Sequence, residues 1–231
     1  MRIGGLQKLT LLDYPGHIAC TVFTAGCNFR CPFCHNSSLV LPEQFTAPIE
    51  SEELMSFLRK RRGILDGVAI TGGEPMLHAD LPELLRQIKD LGFLVKLDTN
   101  GTFPDRLEAV IAEGLVDRVA MDVKNSPALY AETAGVPGLD LAAVDRSRAL
   151  LMEGRVEYEF RTTVVRPLHT RESLIEAAQW IAGAKEYYLQ QYKDPGSVLH
   201  SEGLGPYDET QMRDFAEAVR PWVPSVQLRG L

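Results

Sequence analysis

The sequence has few cysteines, no long apolar run and no excess of positive charge. Because no stretch of about 18 apolar residues is present, we expect no helix that spans a membrane. The first residues are polar and lack the apolar core of a signal peptide, so we expect a cytoplasmic protein. A net charge of −7 and a pI of about 5.3 do not favour nucleic-acid binding, which usually requires a basic face.

Cysteine is scarce but clustered. Of four cysteines in 231 residues, Cys27, Cys31 and Cys34 form a C-x3-C-x2-C run within eight residues. This crowding does not suit the disulfide framework of a secreted protein, and in a reducing compartment it favours metal binding or catalysis. Cys20 stands alone in a predicted strand, where we expect a small buried core residue.

Short β-rich runs alternate with longer helical patterns along the chain. The predicted strands are residues 17–24, 67–71, 93–99, 116–124, 156–165 and 186–192, with a further short strand at 225–229. The predicted helices are residues 51–63, 81–92, 104–114, 139–154, 171–183 and 208–219. About six strand–helix repeats predict an α/β fold with a parallel sheet. Because a closed (β/α)8 barrel needs eight units, we expect a partial (β/α)6 TIM-like barrel, and we interpret residues 1–231 as a single domain.

Polar residues follow the predicted strands at the points where they end. These segments are the loop 25–36, TGGEP at 71–75, DTNG at 98–101, MDVK at 121–124, Arg161 and the polar residues 190–192. In parallel α/β barrels the carboxyl ends of the strands form one face, and that face holds the active site. The fold therefore predicts that these separated segments converge.

The three clustered cysteines suit two kinds of metal site. A structural zinc ion wants four protein ligands, usually in two spaced pairs, and the fourth ligand here would be His35 or Cys20. Neither spacing fits well. A 4Fe–4S cluster takes one cysteine thiolate per iron, so three cysteines leave one iron with an open position. We name residues 25–36 the cluster loop.

The cluster loop CNFRCPFC resembles that of the radical S-adenosylmethionine (SAM) superfamily, and GGEP at 72–75 resembles the superfamily's second motif. The N-terminal segment, residues 3–36, resembles the glycyl-radical-enzyme activases. Its sequence is IGGLQKLTLLDYPGHIACTVFTAGCNFRCPFCHN. It is most similar to the group of anaerobic ribonucleoside-triphosphate reductase activating proteins. The resemblance covers nearly the whole chain.

The resemblance implies an anaerobic radical chemistry. Three cysteines would hold the cluster, and the open iron would bind the amino and carboxylate groups of SAM. Reductive cleavage of SAM would give a 5′-deoxyadenosyl radical, which would take a hydrogen atom from a backbone glycine of a glycyl radical enzyme. The implied partner enzyme is an anaerobic, class III ribonucleotide reductase, and the implied electron donor is a flavodoxin or a ferredoxin.

The resemblance also assigns binding residues outside the cysteines. The glycines and carboxylate of GGEP would approach the methionine ammonium, an aromatic residue in the cluster loop would lie beside adenine, and polar strand ends would hold the remaining groups of SAM. The implied SAM-binding residues are Phe33, Gly72, Gly73, Glu74, Asp98, Thr99, Asp122, Lys124, Arg161 and Gln191. A monovalent cation near the two aspartates is implied as well.

Two alternatives stay open from the sequence. A radical SAM enzyme with a small-molecule substrate, similar to the carboxy-deazaguanine synthases, would share the short barrel, although LTLLDYPG and the MDVK strand weigh against it. A non-enzymatic binding module stabilised by zinc would use the same cysteines.

Overall fold

A computed structural model describes residues 1–194, 196 and 198–231. This part of the chain contains eight strands. They are β1 (Ile3–Thr10), β2 (Ala19–Thr24), β3 (Gly67–Gly72), β4 (Leu94–Thr99), β5 (Arg118–Asp122), β6 (Glu157–Val164), β7 (Tyr187–Gln191) and β8 (Val226–Arg229).

Helices lie between most of the strands. They are α1 (Ser37–Val40), α2 (Ser51–Arg61), α3 (Leu81–Asp90), α4 (Pro104–Ala112), α5 (Tyr130–Thr133), α6 (Leu141–Met152), α7 (Arg171–Trp180) and α8 (Glu209–Val219). Two short 3-10 helices, Pro42–Gln44 and Pro75–Leu77, lie in the loops that follow β2 and β3.

The strands form one sheet in the order β1 to β8, in which β1 is antiparallel and the others are parallel. Within the described residues β8 does not pair with β1, so the barrel stays open. The six predicted strands are β2 to β7, and the predicted segment 225–229 is β8. The partial barrel is therefore confirmed.

Strand β1 was not predicted. It contains two glycines and few β-branched residues, so its local β propensity is weak. Pairing with β2 stabilises it and covers an edge that would otherwise expose unpaired backbone groups.

The helices pack through apolar stripes. In α3 the buried residues Leu81, Leu84, Leu85 and Ile88 follow the spacing of one helical face. Helix α7 begins at a capping box formed by the side chains and backbone of Thr170 and Ser173. Among the residues that the structure describes, no helix is both long and apolar enough to cross a membrane.

Candidate active site

A cavity lies at the carboxyl ends of the parallel strands. Every binding residue named from the sequence except one lines it: Cys27, Cys31, Cys34, Phe33, Gly72, Gly73, Glu74, Asp98, Thr99, Asp122, Lys124 and Arg161. The convergence predicted from the alternation of strands and helices is therefore what the structure shows.

The exception is Gln191. Its side-chain amide donates to the carbonyl oxygen of Tyr207 at 2.8 Å, while the neighbouring Gln190 lines the cavity. Successive residues of a strand point to opposite faces, so only one glutamine of the pair can face the barrel interior. The sequence LQQYK places a polar residue on both faces and gives no sign of which one that is.

Backbone hydrogen bonds hold the cluster loop in place. The Gly26 amide donates to the carbonyl oxygen of Leu39 at 2.7 Å, and the Arg30 amide donates to that of Ala134 at 3.0 Å. The Arg30 guanidinium also donates to the carbonyl oxygens of Cys27 and Phe29, each at 2.7 Å. The loop therefore has a fixed path that depends on α1 and on the end of α5.

The three loop cysteines are free thiols, of which Cys31 is buried and Cys27 and Cys34 are half-buried. Burial raises the pKa of Cys27 to about 12 and that of Cys31 to about 11, and it raises the pKa of Cys34 as well. The ammonium of Lys124 acts in the opposite direction on all three. At neutral pH the thiols are therefore protonated on their own, and a metal that binds them must release their protons.

The donor set fits a 4Fe–4S cluster better than a zinc ion. Among the described residues, no three His, Cys, Asp or Glu side chains converge closely enough to hold a single metal ion. A structural zinc ion needs four such converging ligands. A cluster instead takes each thiolate at a separate iron, so it suits three cysteines that line one cavity without meeting at a single point.

The two glycines of GGEP let two loops touch. A Cβ on Gly73 would lie 2.0 Å from the carbonyl oxygen of Gly26, and a Cβ on Gly72 would lie 2.4 Å from the backbone of Thr24. Gly72 also has a φ of +114°, which favours glycine. Because the Gly73 and Glu74 amides donate to Thr24 and Gly26, each at 2.8 Å, this segment packs directly against the start of the cluster loop.

Glu74 is fully buried behind these glycines. Its carboxylate accepts hydrogen bonds from the Met76 amide at 3.0 Å, the Thr99 hydroxyl at 2.8 Å and the Asn100 amide at 2.6 Å. Burial raises the pKa of Glu74 to about 7, against these hydrogen bonds. The carboxylate thus braces the ends of β3 and β4, and this brace also fixes Thr99 in the cavity wall.

Charged side chains on β4 and β6, at the end of β5 and just after it form a group that we name the strand-end ion group: Lys96, Asp98, Asp122, Lys124 and Arg161. The Arg161 guanidinium donates to Asp98 at 3.0 Å and to Asp122 at 2.9 and 3.1 Å. The ammonium of Lys124 donates to Asp122 at 2.9 Å, and that of Lys96 pairs with Asp98.

The charges of this group stabilise one another. Burial by itself raises the pKa of Asp122, but Lys124 and Arg161 together hold it at about 2. Burial likewise opposes the charged forms of Lys124 and Arg161, yet the neighbouring carboxylates raise the pKa of both above the ordinary values. All three side chains are therefore charged at neutral pH.

Lys96 and His169 were not predicted as site residues. Lys96 shares a strand face with Asp98, two residues on, so a period of two along β4 could have identified it. Buried His169 lies with its Nε2 2.8 Å from the carbonyl oxygen of Lys124, and its ring meets that of Phe33 edge to face at 6.3 Å between centroids. Burial lowers the pKa of His169, so it is neutral.

Comparisons with known proteins agree with this geometry. The model of the radical SAM superfamily matches residues 21–181. A candidate glycyl-radical enzyme activating enzyme of Methanocaldococcus jannaschii is 30% identical over 99% of this chain and 96% of its own length.

Two solved structures share the fold. SuiB of Streptococcus suis, solved with bound SAM, has a TM-score of 0.71 and 17% identity over 90% of this chain, which spans about half (49%) of that protein. A domain of the pyruvate-formate lyase-activating enzyme of Bacteroides vulgatus has a TM-score of 0.58 and 16% identity, covering 71% of this chain and 99% of that domain. The chain therefore belongs to the radical SAM superfamily, whose cofactors are a 4Fe–4S cluster and SAM, and within it to the glycyl-radical enzyme activating family.

Proposed function

We propose that this protein is an activase that uses SAM to generate a glycyl radical on a partner enzyme, an anaerobic ribonucleotide reductase. The observation that carries the proposal is the convergence on one cavity of three free cysteines, residues 72–74 of the GGEP segment and all members of the strand-end ion group except Lys96. Similarity over nearly the full length of an activating-enzyme relative supports the choice of a protein partner.

Cys27, Cys31 and Cys34 would hold the cluster, and when bound and reduced it would supply the electron that cleaves SAM into methionine and a 5′-deoxyadenosyl radical. The chain's own residues would bind SAM and orient it. Lys124 carries its positive charge beside the cysteines and would attract the SAM carboxylate as a compact cation. Arg161 reinforces this field from β6 while it holds both aspartates in place.

The rest of the SAM molecule would contact neutral and acidic surfaces. Glu74 and the backbone of Gly72 and Gly73 offer acceptors for the methionine ammonium, and Phe33 in the cluster loop offers a ring for adenine. Phe33 is buried, and its ring meets that of His169 edge to face. The role proposed for these residues is to orient SAM, because the cofactors supply the bond-breaking chemistry.

The open barrel supports a large substrate. The sheet does not close between β8 and β1 in the described residues, so the strand-end face is not ringed by a complete set of loops. A flexible glycine-bearing segment of a partner protein could reach such a face. A flavodoxin or a ferredoxin would supply the reducing electron.

An anaerobic activation assay tests the proposal. The protein is reconstituted with iron and sulfide, reduced, and incubated with SAM and a class III ribonucleotide reductase, while EPR follows the glycyl radical. We expect a glycyl radical signal together with one 5′-deoxyadenosine for each radical formed.

The matched control is the same reductase with its radical-bearing glycine replaced by alanine, which should give no signal. Efficient SAM cleavage with no radical on this or any other glycyl radical enzyme would contradict the proposal. A signal on a different glycyl radical enzyme alone would retain the activase function and reject the choice of partner.

A further inference from the structure

Every carboxylate oxygen of the two aspartates in the strand-end ion group already contacts a cationic side chain. At Asp98, one carboxylate oxygen pairs with the Lys96 ammonium and the other accepts from Arg161 at 3.0 Å. At Asp122, one oxygen accepts from Arg161 at 2.9 and 3.1 Å and the other accepts from Lys124 at 2.9 Å. A metal cation binds such carboxylates through their oxygens, and here cationic side chains contact all four.

Lys96 is the unusual member of this group. It lies in the middle of β4 with only 1% of its surface exposed, and a lysine is almost never buried so fully unless it is paired. The charge of Lys96 also acts on the nearby carboxylate of Glu159, but Glu159 accepts its hydrogen bonds from Arg118 at 2.7 Å and from Arg229 at 2.8 and 3.1 Å. Asp98 is therefore the partner of Lys96.

The charge balance also disfavours an additional cation. Within the strand-end ion group, three cationic side chains face two carboxylates, which leaves one net positive charge. The nearby carboxylate of Glu159 is paired with Arg118 and Arg229. A further cation would be repelled at close range in surroundings of low dielectric, whereas an anionic carboxylate would be attracted. The residues present therefore do not fit the monovalent cation that the family resemblance implies.

We infer that the Lys96 ammonium takes the place of a monovalent cation beside Asp98, so that this protein binds SAM without sodium or potassium. Lys96 is a positioning residue. It fixes Asp98, which in turn fixes the guanidinium of Arg161 next to the SAM carboxylate. The inference rests on the proposed SAM-binding function of this cavity.

The wild-type protein gives the first test. SAM affinity of the reconstituted protein is measured by calorimetry in potassium chloride, in sodium chloride and in choline chloride at equal ionic strength. We expect the three affinities to agree within about twofold, since exposed charges are screened equally in all three salts. An affinity at least about tenfold tighter in either metal salt than in choline chloride would overturn the inference.

A cation-rescue experiment gives the second test. Lys96→Ala removes one charge and leaves an oxygen of Asp98 unpaired, so SAM affinity should fall about tenfold in choline chloride. Potassium or sodium should restore most of the loss by entering the vacated place. A loss that is the same in all three salts would show that Lys96 is only structural, and would overturn the inference.

The matched control is Lys89→Ala, which removes a lysine–aspartate pair with Asp117 outside the cavity and should show no cation-specific effect. Thermal unfolding in the same salts keeps the test independent of SAM. The wild-type midpoint should not rise in potassium relative to choline, and a cation-specific rise would overturn the inference even if no SAM bound. Absence of SAM binding in every salt would instead refute the proposed function.

Discussion

The cluster loop and the strand-end ion group meet at the same cavity, which every member of the group except Lys96 lines, but their electrostatic states are opposite. In the cluster loop, burial raises the pKa of three thiols, so they are neutral until a metal binds them. In the strand-end ion group, every side chain is paired with an opposite charge, and the group is complete within the chain. The charge state of the cluster loop therefore depends on a bound metal, whereas that of the strand-end ion group does not.

This difference separates two sources of function. Under the proposed function, the cluster loop would contribute ligands whose chemistry begins only when the metal is present, while the strand-end ion group contributes a fixed field that is present before any ligand binds. Lys124 connects the two, because its ammonium pairs with Asp122 and also favours the thiolate form of Cys31. Variants on the two walls should therefore fail in different ways.

The largest effect is expected at the cluster loop. Cys31→Ala removes one thiolate, so SAM cleavage should fall by more than about 100-fold, beyond the loss typical of residues that only support a metal ligand. The thermal midpoint of the metal-free protein should change little, because the thiol makes no ion pair. Cys20→Ala is the control, because Cys20 is a buried residue of β2 outside the cluster loop and this variant should keep its cluster. Normal SAM cleavage by Cys31→Ala would reject the assignment.

In the strand-end ion group, the largest expected effect of a substitution is a lower free energy of unfolding. Arg161→Gln leaves Asp98 and Asp122 with one cationic partner fewer each, and breaking such a buried pair costs about 4 kcal/mol. Urea unfolding of the metal-free protein measures this loss. Arg213→Gln is the control, since it breaks an exposed pair with Glu209 that contributes at most about 0.5 kcal/mol. Equal losses in the two variants would show that the strand-end ion group is not a stabilising unit.

Glu159, which lies close to the strand-end ion group, should make the stability of the protein depend on pH in the acid range. Burial by itself raises the pKa of Glu159, but hydrogen bonds from Arg229 and Arg118 and the charges of Arg161 and Lys96 lower it to about 2. A depressed pKa contributes stability above the ordinary value of 4.5 and loses it as the pH falls towards 2, by about 3 kcal/mol in total. Glu159→Gln should therefore be less stable at pH 7 and show a flatter decline between pH 4.5 and 2. Parallel pH profiles for the two proteins would contradict this.

A smaller effect is expected at Lys124, the member of the strand-end ion group whose charge also acts on the cluster loop. Lys124→Ala should weaken SAM binding about tenfold, as expected for one lost charge contact, while the iron content stays unchanged. Calorimetry and iron analysis on the same sample separate the two outcomes. Unchanged affinity would remove Lys124 from the SAM site, and loss of iron would show that it supports the cluster instead.

Sequence patterns predicted most of the fold because β2 to β7 are apolar runs bounded by helices with clear periodicity. The cluster loop and GGEP were found from spacing and motif. Lys96 was missed because a lysine in a strand usually faces solvent, and only the pairing with Asp98 explains its burial. Gln191 was predicted to face the cavity, but Gln190 does so instead. Strand register, which depends on the neighbouring strands, decides which face of the sheet each residue is on. The single-domain interpretation of residues 1–231 stays a prediction.

EPR of the reduced, reconstituted protein tests most directly whether three cysteines hold a cluster with one iron open to SAM. We expect about four iron atoms per chain and a cluster spectrum that changes when SAM is added, as required for direct binding to an open iron. A sample that contains stoichiometric zinc without sulfide, or a cluster spectrum that is identical with and without saturating SAM, would contradict the account.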